Sequence, residues 1–295
     1  MFLQPVVSIK VGRIMGEIAL LQMVSIPDLD ANLQQAQFLI EVAVKQGARF
    51  ILLPENFASF ATGRMQEVAA QEIDQSGRLR SFVAEQARRH GVWLLAGTIP
   101  TRRRADGSLL HARARSASWL LDDAGNEVAR YDKIHLFDVE VADQQQSYRE
   151  SSEVEPGDTP VVADTPWGRL GMAVCYDLRF PELFRRYQQA GAELLSLPSA
   201  FTRTTGDAHW EVLVRARAIE TQCYMLAPNM GGQHTPKRAT NGDSMIVSPW
   251  GEVLNRLKQG AGVVSADCDL QLLRDIRARM PVLQHVKLAP PSSAS

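Results

Sequence analysis

Residues 171–183 read Gly171-Met172-Ala173-Val174-Cys175-Tyr176-Asp177-Leu178-Arg179-Phe180-Pro181-Glu182-Leu183. An apolar run from Leu170 to Val174 stops at Cys175, polar Asp177 and Arg179 follow, and Phe180-Pro181-Glu182 opens a helical pattern. A short apolar run stopped by such a turn predicts a buried strand feeding a helix. Open α/β folds carry reactive groups at strand ends of this kind, because the sheet fixes the backbone and the turn exposes the side chain. Taken alone, Cys175 also fits the ordinary place of a free cysteine as a small buried hydrophobe. Stretches earlier in the chain separate the two readings.

Upstream, Ile18–Ser25 reads as a strand, and Asp28 caps a helix over about 29–46 that stops at Gly47. Phe50–Pro54 is the next strand and ends on Glu55. A helix over about 77–90 presents Leu79, Phe82, Val83 and Ala87 on one face and stops at Gly91, after which Val92–Gly97 is strand-like. Ala114–Leu121 and Val128–Tyr131 flank the turn Asp122-Asp123-Ala124-Gly125-Asn126 and predict a hairpin. Residues 138–160 are polar and acidic and read as a loop.

Downstream, Leu194–Ser199 and Tyr224–Pro228 are strands around a helix over Asp207–Gln222. Asn241–Trp250 and Val253–Leu257 form a second hairpin, and Val263–Ala266 with a helix near 269–279 closes the pattern. Strands alternate with helices, yet hairpins interrupt them twice, so mixed sheets with helices outside fit better than a purely parallel sheet. The domain boundaries expected are an N-terminal extension over 1–14, one domain over 15–288 and a flexible tail over 289–295.

Composition excludes several functions. A net charge of -1 lacks the basic excess of a nucleic-acid binder. No stretch approaches the roughly 18 apolar residues of a membrane span, and the N-terminus lacks a secretory h-region. Cys175, Cys223 and Cys268 are spaced for neither metal binding nor a disulfide framework, so a cytoplasmic location is expected and no metal is.

Glu55, Lys133 and Cys175 each follow a strand-like run. A cysteine attacks as its thiolate and needs a base or a cation beside it. Glu55 suits the base, which would take the thiol proton and give it to a leaving amine. Lys133 suits the cation that stabilises an oxyanion, and the backbone N–H of Tyr176 is a second oxyanion donor. A Cys–His pair with His135 or His209 stays open on sequence alone.

Three stretches resemble the signatures of the nitrilase, or carbon–nitrogen hydrolase, superfamily. They are Pro54-Glu55-Asn56, Tyr131-Asp132-Lys133-Ile134-His135-Leu136-Phe137-Asp138, and Cys175 to Glu182. The resemblance spans roughly 17–287. It implies an α/β four-layer αββα sandwich and a Glu-Lys-Cys triad on Glu55, Lys133 and Cys175. It also implies a thioester acyl-enzyme, ammonia as leaving group, no cofactor, and a homodimer. A second active-site glutamate falls on Glu150, in Tyr148-Arg149-Glu150-Ser151, with Glu140 as its competitor.

Within the superfamily, Pro198–Thr202, Thr205–Glu211 and Arg215–Tyr224 resemble the Nit-type amidases. The strings Gln222-Cys223-Tyr224 and Leu283-Gln284-His285 are similar to the deaminated-glutathione amidases, with the omega-amidases, which act on α-ketoglutaramate, as near relatives. Ala227-Pro228-Asn229-Met230 and Asn241-Gly242-Asp243-Ser244-Met245 depart from that pattern. The expected substrate is a small linear ω-amide with a distal carboxylate, and Arg203 is the candidate that binds it. An aliphatic nitrilase and a catalytically silent binding subunit are the alternatives.

Overall fold

The computed structural model describes residues 17–60 and 62–288, so the expected extension over 1–14 and tail over 289–295 lie outside the described residues. The first half runs β1 (Ile18–Gln22), α1 (Leu29–Lys45), β2 (Phe50–Leu52), α2 (Met65–Gln71), α3 (Arg78–His90) and β3 (Trp93–Leu95). It continues with β4 (Ile99–Thr101), β5 (Arg115–Leu121), β6 (Glu127–Asp132), β7 (Asp138–Glu140) and β8 (Ser147–Arg149). The second half begins with β9 (Val161–Thr165), β10 (Gly168–Met172), α4 (Pro181–Gln189), β11 (Leu194–Ser196), α5 (Arg203–Thr221) and β12 (Tyr224–Ala227). It ends with β13 (Gln233–Thr235), β14 (Arg238–Ala239), β15 (Ser244–Val247), β16 (Val253–Leu257), β17 (Gly262–Ala266) and α6 (Leu270–Arg279).

Local chemistry sets the helix ends. The Asp28 carboxylate accepts from the N–H groups of Asp30 and Ala31, and α3 stops at Gly91 in the left-handed region. Strands sort into two mixed sheets. One has the order β17-β1-β2-β3-β5-β4 with β6 paired to β5, and the other has the order β16-β15-β12-β11-β10-β9.

The period-2 alternation of side chains decides what each face covers. From β1 and β2, Ile18, Leu20, Phe50 and Leu52 face the second sheet and share a core with Leu170 and Leu194. Their neighbours Ala19, Leu21 and Ile51 face outward into a second core with Leu39 and Ile40 of α1 and Val83 of α3. Phe184 and Tyr187 of α4, with Trp210 and Val214 of α5, cover the other side of the second sheet. The result is an αββα sandwich, as expected.

Several expectations need correction. Residues 138–160 are not all loop, because β7 and β8 form a small antiparallel hairpin. Helix α2 and strand β4 were not anticipated. Helix α5 begins at Arg203 rather than Asp207, because the Thr202 hydroxyl caps it by accepting from the Thr205 N–H.

Candidate active site

Strand β5 is antiparallel to both β3 and β6, so β6 points the same way as β2 and β3. The carboxyl ends of β2 and β6 therefore bring Glu55 and Lys133 to one edge of the first sheet. Strand β10 delivers Cys175 from the facing sheet. Gly97 permits the tight approach behind Glu55: it sits at φ +51°, and a side chain there would overlap the Pro54 carbonyl oxygen.

Cys175 opens a 3-10 turn over Cys175–Arg179 at φ +46°, a backbone conformation that costs a non-glycine residue about 1–3 kcal/mol. The fully buried Asp177 carboxylate holds that turn. Its Oδ2 accepts from the Val174 N–H at 2.8 Å and from the Tyr131 hydroxyl at 2.7 Å. Its Oδ1 accepts from the His135 N–H at 3.1 Å and lies 2.7 Å from His135 Nδ1. One carboxylate thus ties the Cys175 turn to both sides of Lys133. The His135 ring, stacked 3.7 Å from Phe180, is part of this brace.

The Lys133 ammonium is 2.8 Å from Glu55 Oε1, and 2.9 and 2.8 Å from the two oxygens of Glu150. Glu150 also accepts from the Phe137 N–H at 2.7 Å. Glu55, Lys133 and Cys175 are all buried. Burial alone would push the Lys133 ammonium down, but Glu150 and Glu55 more than offset it and hold Lys133 well above its usual 10.5. Burial, and then the like charge of Glu55, push the Glu150 carboxyl up against the pull of Lys133. Burial and the Glu55 charge also hold the Cys175 thiol well above 9.0, despite Lys133. Burial thus favours the neutral thiol on Cys175.

These groups floor a cavity of ≈ 370 Å³. Tyr176, Phe137, Phe60, Tyr148, Thr202 and Arg238 are among its walls. Phe60, Tyr148 and Arg238 were missed in the sequence, because residues from separate segments that meet only in three dimensions share no periodicity. Neither His135 nor His209 lines the cavity; His209 Nδ1 is 3.3 Å from Arg179.

Arg203 does not line the cavity either. It is the first residue of α5 and is exposed to solvent, because the helix starts a turn earlier than expected and turns it outward. Glu140 sits on β7 with an exposed side chain, 3.4 Å from Arg149. Cys223 and Cys268 stand apart from the cavity, and burial pushes both thiols up. Among the described residues, no group of three or more His, Cys, Asp or Glu is arranged to hold a metal ion.

A family model described as carbon-nitrogen hydrolase matches residues 17–278. The chain belongs to the carbon–nitrogen hydrolase family. This carbon–nitrogen hydrolase is 43% identical over 273 residues to the deaminated glutathione amidase of Yersinia enterocolitica, covering 92% of each chain. The crystal structure of the C. elegans NitFhit protein superposes with a TM-score of 0.82 at 37% identity. That match covers 92% of this chain and 64% of the other, so the carbon–nitrogen hydrolase spans under two thirds of NitFhit. A mutant of the amidase from Nesterenkonia sp. AN1, showing the result of Michael addition of acrylamide at its active site cysteine, matches at TM-score 0.72 and 26% identity. That match covers 90% of this chain and 98% of the other. The carbon–nitrogen hydrolase is an amidohydrolase acting on a small amide, which sets aside the silent-subunit alternative.

Proposed function

We propose that this enzyme hydrolyses a small linear ω-amide with a distal carboxylate, as a deaminated glutathione amidase does, through a thioester on Cys175. The observation that carries the reading is the Lys133 ammonium held between Glu55 and Glu150 in the cavity that Cys175 also lines. As the sulfur attacks the amide carbon, Glu55 takes the thiol proton. The oxyanion that forms is stabilised by Lys133 and the Tyr176 N–H. Glu55 then gives its proton to the amide nitrogen, the C–N bond breaks, and the amine leaves, cysteinylglycine from deaminated glutathione and ammonia from a primary amide. Glu55 next removes a proton from water, which attacks the thioester, and the carboxylic acid departs as the thiol is restored. Glu150 fixes the Lys133 ammonium throughout. The acrylamide adduct at the cysteine of the Nesterenkonia amidase supports Cys175 as the nucleophile.

Residues 15–288 are read as one domain, a reading supported by the single family match and by a core shared between the two sheets. A homodimer is supported by exposed Val212 and Ile219 on one face of α5, with exposed Trp250 nearby. The free thiols Cys175, Cys223 and Cys268 support a reducing, cytoplasmic setting.

The test is hydrolysis of deaminated glutathione, read as release of cysteinylglycine, and of α-ketoglutaramate, neutral short amides and aliphatic nitriles, read as release of ammonia. Deaminated glutathione is expected to give the highest kcat/KM. Turnover of nitriles with no amide turned over would refute the reading.

A further inference from the structure

The cavity holds three cations, Lys133, Arg149 and Arg238, and their surroundings separate them. Lys133 is taken up by Glu55 and Glu150 at the floor. Arg149 points away, to Glu140 and the Tyr148 carbonyl. Arg238 is different: among the described residues, its guanidinium has no carboxylate within 4.0 Å. It lies 4.4 Å over the Phe60 ring and 5.8 Å from the Tyr148 ring.

The Phe60 ring packs against the guanidinium with Tyr148 nearby, and among the described residues no carboxylate takes up its N–H fork. The hairpin of β13 and β14 that carries it is pinned from beneath. His234 is buried, with Nδ1 2.7 Å from the Ser25 carbonyl and Nε2 2.7 Å from the Thr240 hydroxyl. Burial pushes its pKa down to about 4, so it stays a neutral strut at neutral pH. A rigid, half-buried, unpaired guanidinium is arranged to take a planar anion in bidentate fashion.

We propose that Arg238 is the specificity-determining residue for the distal carboxylate of the substrate, selecting monoamides of dicarboxylic acids over neutral amides. The carboxylate lies in the plane of the fork between Phe60 and Tyr148, and the chain between the two ends sets how far the amide reaches toward Cys175. The role once expected of Arg203 falls to Arg238. This assignment rests on the ω-amide reading above and deepens it.

The experiment separates binding from turnover. Cys175→Ala and the double variant Cys175→Ala/Arg238→Gln are titrated by calorimetry with the monoamide of glutaric acid and with valeramide, its neutral counterpart. Arg238→Gln is expected to weaken the monoamide by about tenfold or more and leave valeramide unchanged, with Arg238→Lys in between. An equal loss for both ligands, or no loss for either, would overturn the assignment. In the Cys175-containing enzyme the same variant should raise KM for the monoamide and spare kcat. A wild type that turned over neither amide would refute the amidase reading, whereas the calorimetric contrast alone decides Arg238.

Discussion

Replacing Glu150 by Gln removes one negative charge and one oxygen acceptor from beside Lys133, and nearly isosterically. Glu150 now accepts from Lys133 with both oxygens, at 2.9 and 2.8 Å, and from the Phe137 N–H at 2.7 Å. A glutamine has a single carbonyl oxygen, and its NH2 donates only, so at least one charge-assisted bond to Lys133 is lost. Such a bond is worth about 1.5–3 kcal/mol. Expressed wholly in the transition state, that lowers kcat by roughly 10- to 150-fold. The charge change also has a sign. Lys133 is held above its usual value in part by Glu150, so losing that anion lets the ammonium deprotonate at lower pH. The alkaline limb of kcat should therefore move down in the variant.

Stability should barely change, since burial already raises the Glu150 carboxyl and makes its ionised form costly to the fold. Glu140→Gln is the control, with an exposed side chain and a 3.4 Å contact to Arg149; its kcat should stay within about twofold of wild type. Ammonia release against pH, with thermal melts in parallel, reads all of this. A Glu150→Gln enzyme within about twofold of wild type, or an equal loss in Glu140→Gln, would refute the reasoning.

Asp177→Asn leaves at least two of the four donors around Asp177 without an acceptor, at roughly 1–3 kcal/mol each, so both the melting temperature and kcat should fall. An unchanged kcat would mean that the Cys175 turn holds itself. Because the folded-state thiol of Cys175 is raised, its protonated form persists below 9.0 and is lost only as pH climbs through the raised value. Far-ultraviolet thiolate absorbance, wild type minus Cys175→Ser, should stay flat from about pH 6 to about pH 9. A sigmoid near about pH 7 would point instead to a preformed thiolate paired with Lys133.

Much of the scaffold was legible because it obeys local rules. Asp28, Gly47 and Gly91 mark helix ends, and Ile18–Leu21 sorts alternately into the two cores. Glu55, Lys133 and Cys175 could be singled out because each ends an apolar run, and the fold brings all three to one cavity. The start of α5 was obscured by Gly206, which reads as a loop residue. In the fold it is a helical glycine against Asn241, where a side chain would overlap. Arg238 was invisible for a different reason. Its partners Phe60 and Tyr148 come from segments far away in sequence, and only packing unites them.

The central claim is the covalent step on Cys175. Acid quenching during turnover of deaminated glutathione, followed by proteolysis and mass spectrometry, should find the peptide bearing Cys175 heavier by the acyl group of the substrate, that is, the substrate less its cysteinylglycine leaving group. The added mass should disappear when quenching follows exhaustion of substrate. Cys175→Ala should show neither adduct nor release of cysteinylglycine, while Cys223→Ala and Cys268→Ala should show both. Full turnover by Cys175→Ala, or acylation found on Cys223 or Cys268 instead, would contradict the account.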